Sequence, residues 1–187
     1  PDTTAPTTSV ACGGATCATW SKSQVTVSLS ATDTGGSGVD KTYYTTDGRD
    51  PNTSGPSYTD PFTVAQTTTV KFFSTDKAGN VEPVRSRLIQ FDTAAPTVSL
   101  TAPASGSSIR RGTVVPLAAT ANDAGSGVAQ VVFALDGTSL GADTTASYGL
   151  SWNSRKASFG QHSLTAVAYD VAGNVTTSAS VTVTLTH

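Results

Sequence analysis

The chain has 187 residues, only 13% of them charged, and a net charge of -2 at pH 7. So weak a field does not attract nucleic acid or an anionic membrane, and neither is predicted as a partner. No apolar run is long enough to cross a bilayer, and no charged-then-apolar leader is present. Because the first residues already belong to a linker motif, any signal peptide would lie outside this piece, and we expect a fragment of a longer protein.

The sequence repeats itself at an interval of about 90 residues. Matching stretches recur in the same order in both halves: residues 2–6 and 92–96, 33–39 and 123–128, 44–48 and 133–137, 76–81 and 170–175. The repeat predicts two domains, residues 1–91 and 92–187, joined by a short linker at residues 92–96. Each is large enough to hold its own core.

The first copy is predicted to contain short strands separated by turns. Residues 24–32 alternate, with Val25, Val27 and Leu29 on one face, which is typical of a strand with one buried face. The other predicted strands are residues 7–10, 39–46, 68–75 and 87–91. Residues 47–61 hold three prolines and are predicted to form a long connection.

The second copy has a cleaner alternating pattern. Its predicted strands are residues 97–101, 114–122, 128–135, 148–152, 163–169 and 178–186, with a hairpin turn at Asp136 and Gly137. Neither half shows helical periodicity over more than one turn. The sequence therefore predicts an all-β fold of two tandem β-sandwiches of the immunoglobulin or fibronectin III kind.

The two halves resemble known families of Ig-like modules. The first resembles the chitobiase/β-hexosaminidase C-terminal type through residues 43–51, 58–63, 69–72 and 76–80. The second resembles the bacterial Ig-like repeat through residues 92–96, 135–137, 151–153 and 170–174. The resemblance implies a non-catalytic module beside the catalytic domain of a secreted bacterial enzyme, such as an actinobacterial polysaccharide deacetylase or glycoside hydrolase, or within an adhesin.

Two cysteines, Cys12 and Cys17, lie in the first half. We predict that they form a disulfide that closes a short surface loop, which stabilises the fold by about 2 kcal/mol and implies an oxidising compartment. The alternative is half of a metal site. That site would need further ligands, and both histidines, His162 and His187, lie in the other half.

Aspartates recur at the turns of both copies. In a sandwich of this plan, the segment before the first strand and two of the turns meet at one end of the domain. Three carboxylates are therefore expected to converge there in each copy: Asp2, Asp33 and Asp76, and Asp92, Asp123 and Asp170. Together with carbonyl oxygens they could form a Ca²⁺ site. They are equally good turn residues that accept backbone N–H bonds without a metal, and both interpretations stay open.

Sugar binding is a further hypothesis, because polysaccharides bind flat, exposed aromatic rings. The candidates are Trp20, Tyr43, Tyr44 and Tyr58. Tyr43 and Tyr44 are neighbours on a predicted strand, so one of them must face the core. No Gly-x-Ser-x-Gly, His-Glu-x-x-His or phosphate-binding loop occurs, and catalysis is not predicted.

These observations predict a monomeric, non-catalytic spacer of a secreted multidomain bacterial protein that acts on a polysaccharide. Its partners would be other domains of the same polypeptide, and Ca²⁺ is the one cofactor under consideration. Two alternatives remain: an accessory module that binds polysaccharide or cell wall, and a calcium-stiffened stalk of a cell-surface adhesin.

Overall fold

The computed structural model describes residues 1–14 and 16–187. Ala15, part of the predicted disulfide loop, lies outside the described residues. The chain folds into two compact units, unit 1 (Pro1–Phe91) and unit 2 (Asp92–His187). No helix among the described residues combines the length and the apolar character that crossing a membrane requires. That each unit folds on its own stays a prediction.

Unit 1 is a sandwich of two sheets. Its strands are β1 (Thr7–Cys12), β2 (Trp20–Ser21), β3 (Val25–Thr32), β4 (Val39–Thr45), β5 (Phe62–Val64), β6 (Thr68–Asp76) and β7 (Arg85–Phe91). One sheet has the order β1-β3-β5 and the other the order β2-β7-β6-β4. The core between them contains Val27, Val70, Phe72 and Ile89, so the predicted alternation in β3 points its apolar face inward.

Unit 2 follows the same plan with more strands. They are β8 (Thr97–Ala102), β9 (Ser107–Arg110), β10 (Val114–Asn122), β11 (Val128–Leu135), β12 (Thr138–Asp143), β13 (Tyr148–Asn153), β14 (Gly160–Asp170), β15 (Val175–Thr177) and β16 (Val181–Thr186). One sheet is β13-β10-β8, and the other is β12-β11-β14-β16-β9 with β15 also paired to β14. Phe133 and Leu164 lie fully buried in its core.

The predicted all-β class and the Ig-like or fibronectin III-like sandwich are confirmed. The differences are short strands that were not predicted, namely β2, β5, β9, β12 and β15. The last predicted strand also begins later, at Val181 rather than Ser178. The Ser178 hydroxyl accepts a bond from the Ala166 N–H at 3.0 Å and donates to the Ala179 carbonyl at 2.8 Å. This side chain therefore takes the place of a backbone partner in the ladder.

A buried polar cluster interrupts the interior of unit 1. Glu82 is 3% exposed and accepts hydrogen bonds from the Thr8 N–H at 3.1 Å and the Ser74 N–H at 2.9 Å, and from the Thr8 hydroxyl. The Ser74 hydroxyl lies 2.6 Å from that of Thr8 and 2.7 Å from that of Thr42. The repeat places an apolar residue of unit 2 at two of these positions: Val131 matches Thr42, and Ala168 matches Ser74. The cluster therefore distinguishes unit 1 from unit 2.

Candidate functional site

Three aspartates lie together at one end of each unit. Within each set, one carboxylate oxygen from each residue lies within 4.8 Å of the others. The unit 1 cluster is Asp2, Asp33 and Asp76, and the unit 2 cluster is Asp92, Asp123 and Asp170. These are the sets expected from the sequence. Both form because the chain enters each unit beside the two turns that carry the other aspartates.

In unit 2, Asp92 connects the start of the unit to both turns. Its Oδ2 accepts a hydrogen bond from the Ser126 N–H at 2.6 Å, and its Oδ1 accepts one from the Ala94 N–H at 3.0 Å. Its backbone carbonyl accepts a bond of 2.8 Å from the side-chain amide of Asn174. The same amide donates to Asp170 Oδ2 at 2.8 Å. Asp92 is 6% exposed, so it is fixed within unit 2 by three bonds.

Unit 1 repeats these contacts. Asp2 accepts hydrogen bonds from the Ser37 N–H at 3.0 Å and the Thr4 N–H at 2.9 Å. The side-chain amide of Asn80 donates to the Asp2 carbonyl at 3.2 Å and to Asp76 Oδ2 at 2.7 Å. The aspartates were predicted from the sequence, whereas the roles of Asn80 and Asn174 were not. Their recurrence at the same place in both copies was the signal available.

One glycine in each unit is required for this packing. A Cβ on Gly125 would lie 2.3 Å from Asp92 Oδ2, and a Cβ on Gly35 would lie 2.0 Å from Asp2 Oδ1. Real Cβ atoms do not approach other atoms so closely. The turns therefore carry glycine where the carboxylate of the entering segment rests on the backbone.

Hydrogen bonds lower the pKa of three of these carboxyl groups. The Thr4 N–H is the main cause for Asp2, and Ser126 is the main cause for Asp92. For Asp76, burial raises the pKa, but the hydrogen bonds from Asn80, Ser37 and Ala78 together outweigh burial and the pKa is lowered. These three side chains are therefore ionised at neutral pH, and neutral backbone and side-chain hydrogen bonds rather than cationic side chains stabilise their charge.

The geometry of the clusters fits Ca²⁺ without requiring it. Oxygens that share one Ca²⁺ lie about 2.3–2.6 Å from the ion, so a mutual separation within 4.8 Å is compatible with a common ligand. A carboxylate oxygen that accepts one N–H bond keeps a second lone pair. Three carboxylates supply only part of a coordination shell of about six to eight oxygens, and carbonyl groups or water would complete it.

Comparisons with known proteins agree with this architecture. Residues 17–86 match the chitobiase/beta-hexosaminidase C-terminal domain family, and residues 96–166 match the bacterial Ig domain family. The chain is similar to the fibronectin(III)-like modules of Clostridium thermocellum CbhA, with a TM-score of 0.59 and 22% identity over 95% of this chain and 94% of that chain. The chain is a tandem of two Ig-like modules.

A second solved structure shares the fold of the tandem modules. It contains three N-terminal domains of the bacteriophage RB49 highly immunogenic outer capsid protein, with a TM-score of 0.54 and 11% identity over 97% of this chain and 71% of that chain. No curated protein matches the chain in sequence. At these identities the solved structures establish the fold alone.

In the first module, Cys12 and Cys17 are joined by a disulfide. The predicted aromatic residues do not share one exposed surface. Tyr43 is only 6% exposed and stacks on Phe73 with ring centroids 5.2 Å apart. The structure does not support Tyr43 as a surface for sugar binding. Its ring is buried although it lies on the side of the sheet that faces away from the core. Trp20 is half-buried in β2, and Tyr44 and Tyr58 are half-buried elsewhere in the module.

The second module contains a His–Asp pair that the sequence analysis did not predict. His162 is 8% exposed, and its Nδ1 lies 2.6 Å from Asp136 Oδ2. Its Nε2 lies 2.9 Å from the Ser158 carbonyl oxygen and 3.5 Å from the Ser158 hydroxyl. Both close neighbours are acceptors, so in the protonated ring both nitrogens donate, Nδ1 to Asp136 and Nε2 to the Ser158 carbonyl. In that form Nε2 has no lone pair for the hydroxyl proton and does not act as the base of a Ser-His-Asp triad.

We expect the free energy of unfolding of the second module to fall as the pH rises above about 6.5. The hydrogen bond that His162 donates to Asp136 is the main cause that raises the pKa of His162 above its ordinary value of 6.5. A raised folded-state pKa means that the stabilisation is complete below the unfolded pKa and is lost as the pH rises through the folded pKa. Urea denaturation across this pH range measures the effect.

Two variants make the pH experiment specific. His162→Gln should remove the pH dependence, whereas His187→Gln, which changes the only other histidine, should preserve it. An unchanged slope in His162→Gln would show that another group causes it.

Proposed function

We propose that the tandem modules are a monomeric, non-catalytic spacer in a secreted multidomain bacterial protein that acts on a polysaccharide. The family that the first module matches is named for chitobiase and beta-hexosaminidase, which supports a polysaccharide context. The disulfide between Cys12 and Cys17 supports an extracytoplasmic setting. The partners would be the other domains of the same polypeptide.

The anchoring of Asp92 is the observation that carries this proposal. Strand β7 of the first module ends at Phe91, and the next residue, Asp92, is bonded through its carboxylate and its carbonyl within the second module. No Gly- or Ser-rich segment separates the two. A flexible linker lets attached domains diffuse independently, whereas a connection with few free dihedrals restricts them. Such a connection suits a spacer that holds other domains at a distance.

We expect Asp92→Ala to loosen the connection. Without the carboxylate, the Ser126 and Ala94 N–H groups lose their partner, and the entering segment loses its anchor. Backbone ¹⁵N relaxation should show one rotational correlation time shared by both modules in the natural chain and two shorter, different ones in the variant.

Asp143→Ala is the matched control. Asp143 also accepts two backbone N–H bonds, from Thr145 at 2.9 Å and Gly149 at 2.8 Å, but it lies within the second module. This variant should leave the common correlation time unchanged. Independent tumbling of the modules in the natural chain would overturn the spacer proposal.

The same samples test Ca²⁺. If the clusters hold the ion, added calcium raises the melting temperature of the natural chain relative to EDTA, because a ligand that binds only the folded state stabilises it. Asp92→Ala should lose the part of the shift that arises in the second module, and Asp143→Ala should keep all of it. Equal melting temperatures in calcium and EDTA would leave the clusters as hydrogen-bonded turns.

A calcium-stiffened stalk of a cell-surface adhesin is the second candidate, favoured by the occurrence of the same cluster in both modules. A calcium-dependent melting temperature would support it. The flanking domains of the full-length protein distinguish it from an enzyme spacer.

A further inference from the structure

A cleft of about 490 Å³ opens on the first module. It lies at the other end of the strands from the unit 1 cluster. Strand β4 begins opposite Asp76 and ends opposite Lys71, and the cleft contains Tyr44 and Thr46 from the end of that strand. Phe62 and Gln66, on either side of the end of β5, complete it. The cleft is therefore separate from the aspartates.

Two aromatic rings line the cleft. Tyr44 and Phe62 stack with centroids 4.3 Å apart and planes inclined by 14°. Tyr58 meets both rings edge-on, with centroid distances of 6.1 Å to Tyr44 and 6.5 Å to Phe62. These contacts fix the ring orientations before any ligand arrives. All three side chains are half-buried and pack against the core of the first module, and the parts of Tyr44 and Phe62 that stay exposed line the cleft.

Unpaired polar groups lie beside these rings. Thr46, Thr63 and Gln66 are exposed and line the cleft. Among the residues that the structure describes, their side chains have no hydrogen-bond partner. The Thr68 hydroxyl donates to the Gln66 carbonyl at 2.7 Å, which fixes the turn that carries Gln66. Hydroxyl and amide groups of this kind can donate to and accept from a ligand.

The lining residues carry no charge. A charged ligand would therefore lose hydration without gaining an opposite charge. A sugar ring has an apolar C–H face and neutral hydroxyl groups at its edge. It matches an aromatic surface bordered by neutral donors and acceptors, and ligand sites generally combine a few placed polar groups with an apolar wall.

We propose that this cleft binds a segment of a neutral polysaccharide. The site uses the exposed parts of Tyr44 and Phe62 as an apolar wall against which a sugar ring packs, and Thr63 and Gln66 as hydrogen-bonding partners. It retains Tyr44 from the sequence-based candidates, uses Tyr58 as a support, and excludes Trp20 and Tyr43. The proposal goes beyond the spacer role and does not depend on it, because binding involves side chains of the first module alone.

The test is a titration of the ¹⁵N-labelled chain with neutral pentasaccharides of cellulose, chitin and xylan, followed by NMR. At least one should shift the amide signals of residues 44–46 and 62–68, with a dissociation constant of about 1 mM or lower. Gln66→Ala and Thr63→Ala should each weaken binding about fivefold, because each removes one hydrogen bond. An oligogalacturonate provides the charged comparison and should bind more weakly.

Gln161→Ala is the matched control, since Gln161 is an exposed glutamine of the second module. It should leave the affinity unchanged. The exposed positions of Thr63 and Gln66 allow substitution without loss of the fold, which an unchanged melting temperature verifies. The proposal is overturned if no neutral pentasaccharide shifts these signals, if the shifts lie elsewhere, if both cleft variants bind normally, or if the charged oligosaccharide binds as tightly.

Discussion

Glu82→Ala is expected to lower the free energy of unfolding of the first module by about 3 kcal/mol or more. The carboxylate accepts bonds from the Thr8 and Ser74 N–H groups and from the Thr8 hydroxyl, in an interior where Ser74 is fully buried. Each buried donor left without a partner costs about 1–3 kcal/mol. Denaturation followed by amide signals of each module measures the loss separately in the two modules.

Two further variants control this prediction. Glu82→Gln keeps one carbonyl acceptor but places an NH₂ group toward a donor, so it should cost less than alanine. Asp60→Ala removes a carboxylate from an exposed position and should change stability by less than about 0.5 kcal/mol. A Glu82→Ala variant as stable as the natural chain would mean that the buried donors find other partners.

Phe133→Ala is expected to cost the second module about 3–5 kcal/mol, the usual range for a large aromatic side chain removed from a core. Phe133 has no exposed surface and belongs to the core between the two sheets. The loss combines the apolar area returned to water with the cavity left behind. The same denaturation experiment should show an earlier transition in the signals of the second module alone.

Phe159→Ala is the control for this substitution. Phe159 is 46% exposed and lies on the surface, where it stacks on His187. Its loss should cost less than about 1 kcal/mol.

The pair Phe133→Ala and Glu82→Ala also tests the domain bounds. If each shifts only its own transition, residues 1–91 and 92–187 fold independently; if both transitions move together, the bounds are wrong.

The aspartate clusters illustrate how far a repeat can take a prediction. Asp2, Asp33 and Asp76 are far apart in sequence, and no local pattern joins them. A known sandwich plan, however, brings the entering segment and the two turns to one end, so their proximity followed from topology. The hydrogen bonds did not follow, because donors such as the Ser126 N–H depend on turn conformations that side-chain periodicity does not specify.

The sequence alone determined the class of the fold and its two copies of one plan, and it predicts the joint at Asp92. Alternation along strands such as β3 and β10, together with Gly- and Pro-rich turns, encodes these features locally. Only the tertiary structure decided that Tyr43 is covered, that Glu82 meets Thr8 inside the first module, and that Tyr44 and Phe62 share a cleft. The reason is physical: each of these contacts joins residues from separate segments of the chain, and its geometry depends on how those segments pack rather than on any one of them.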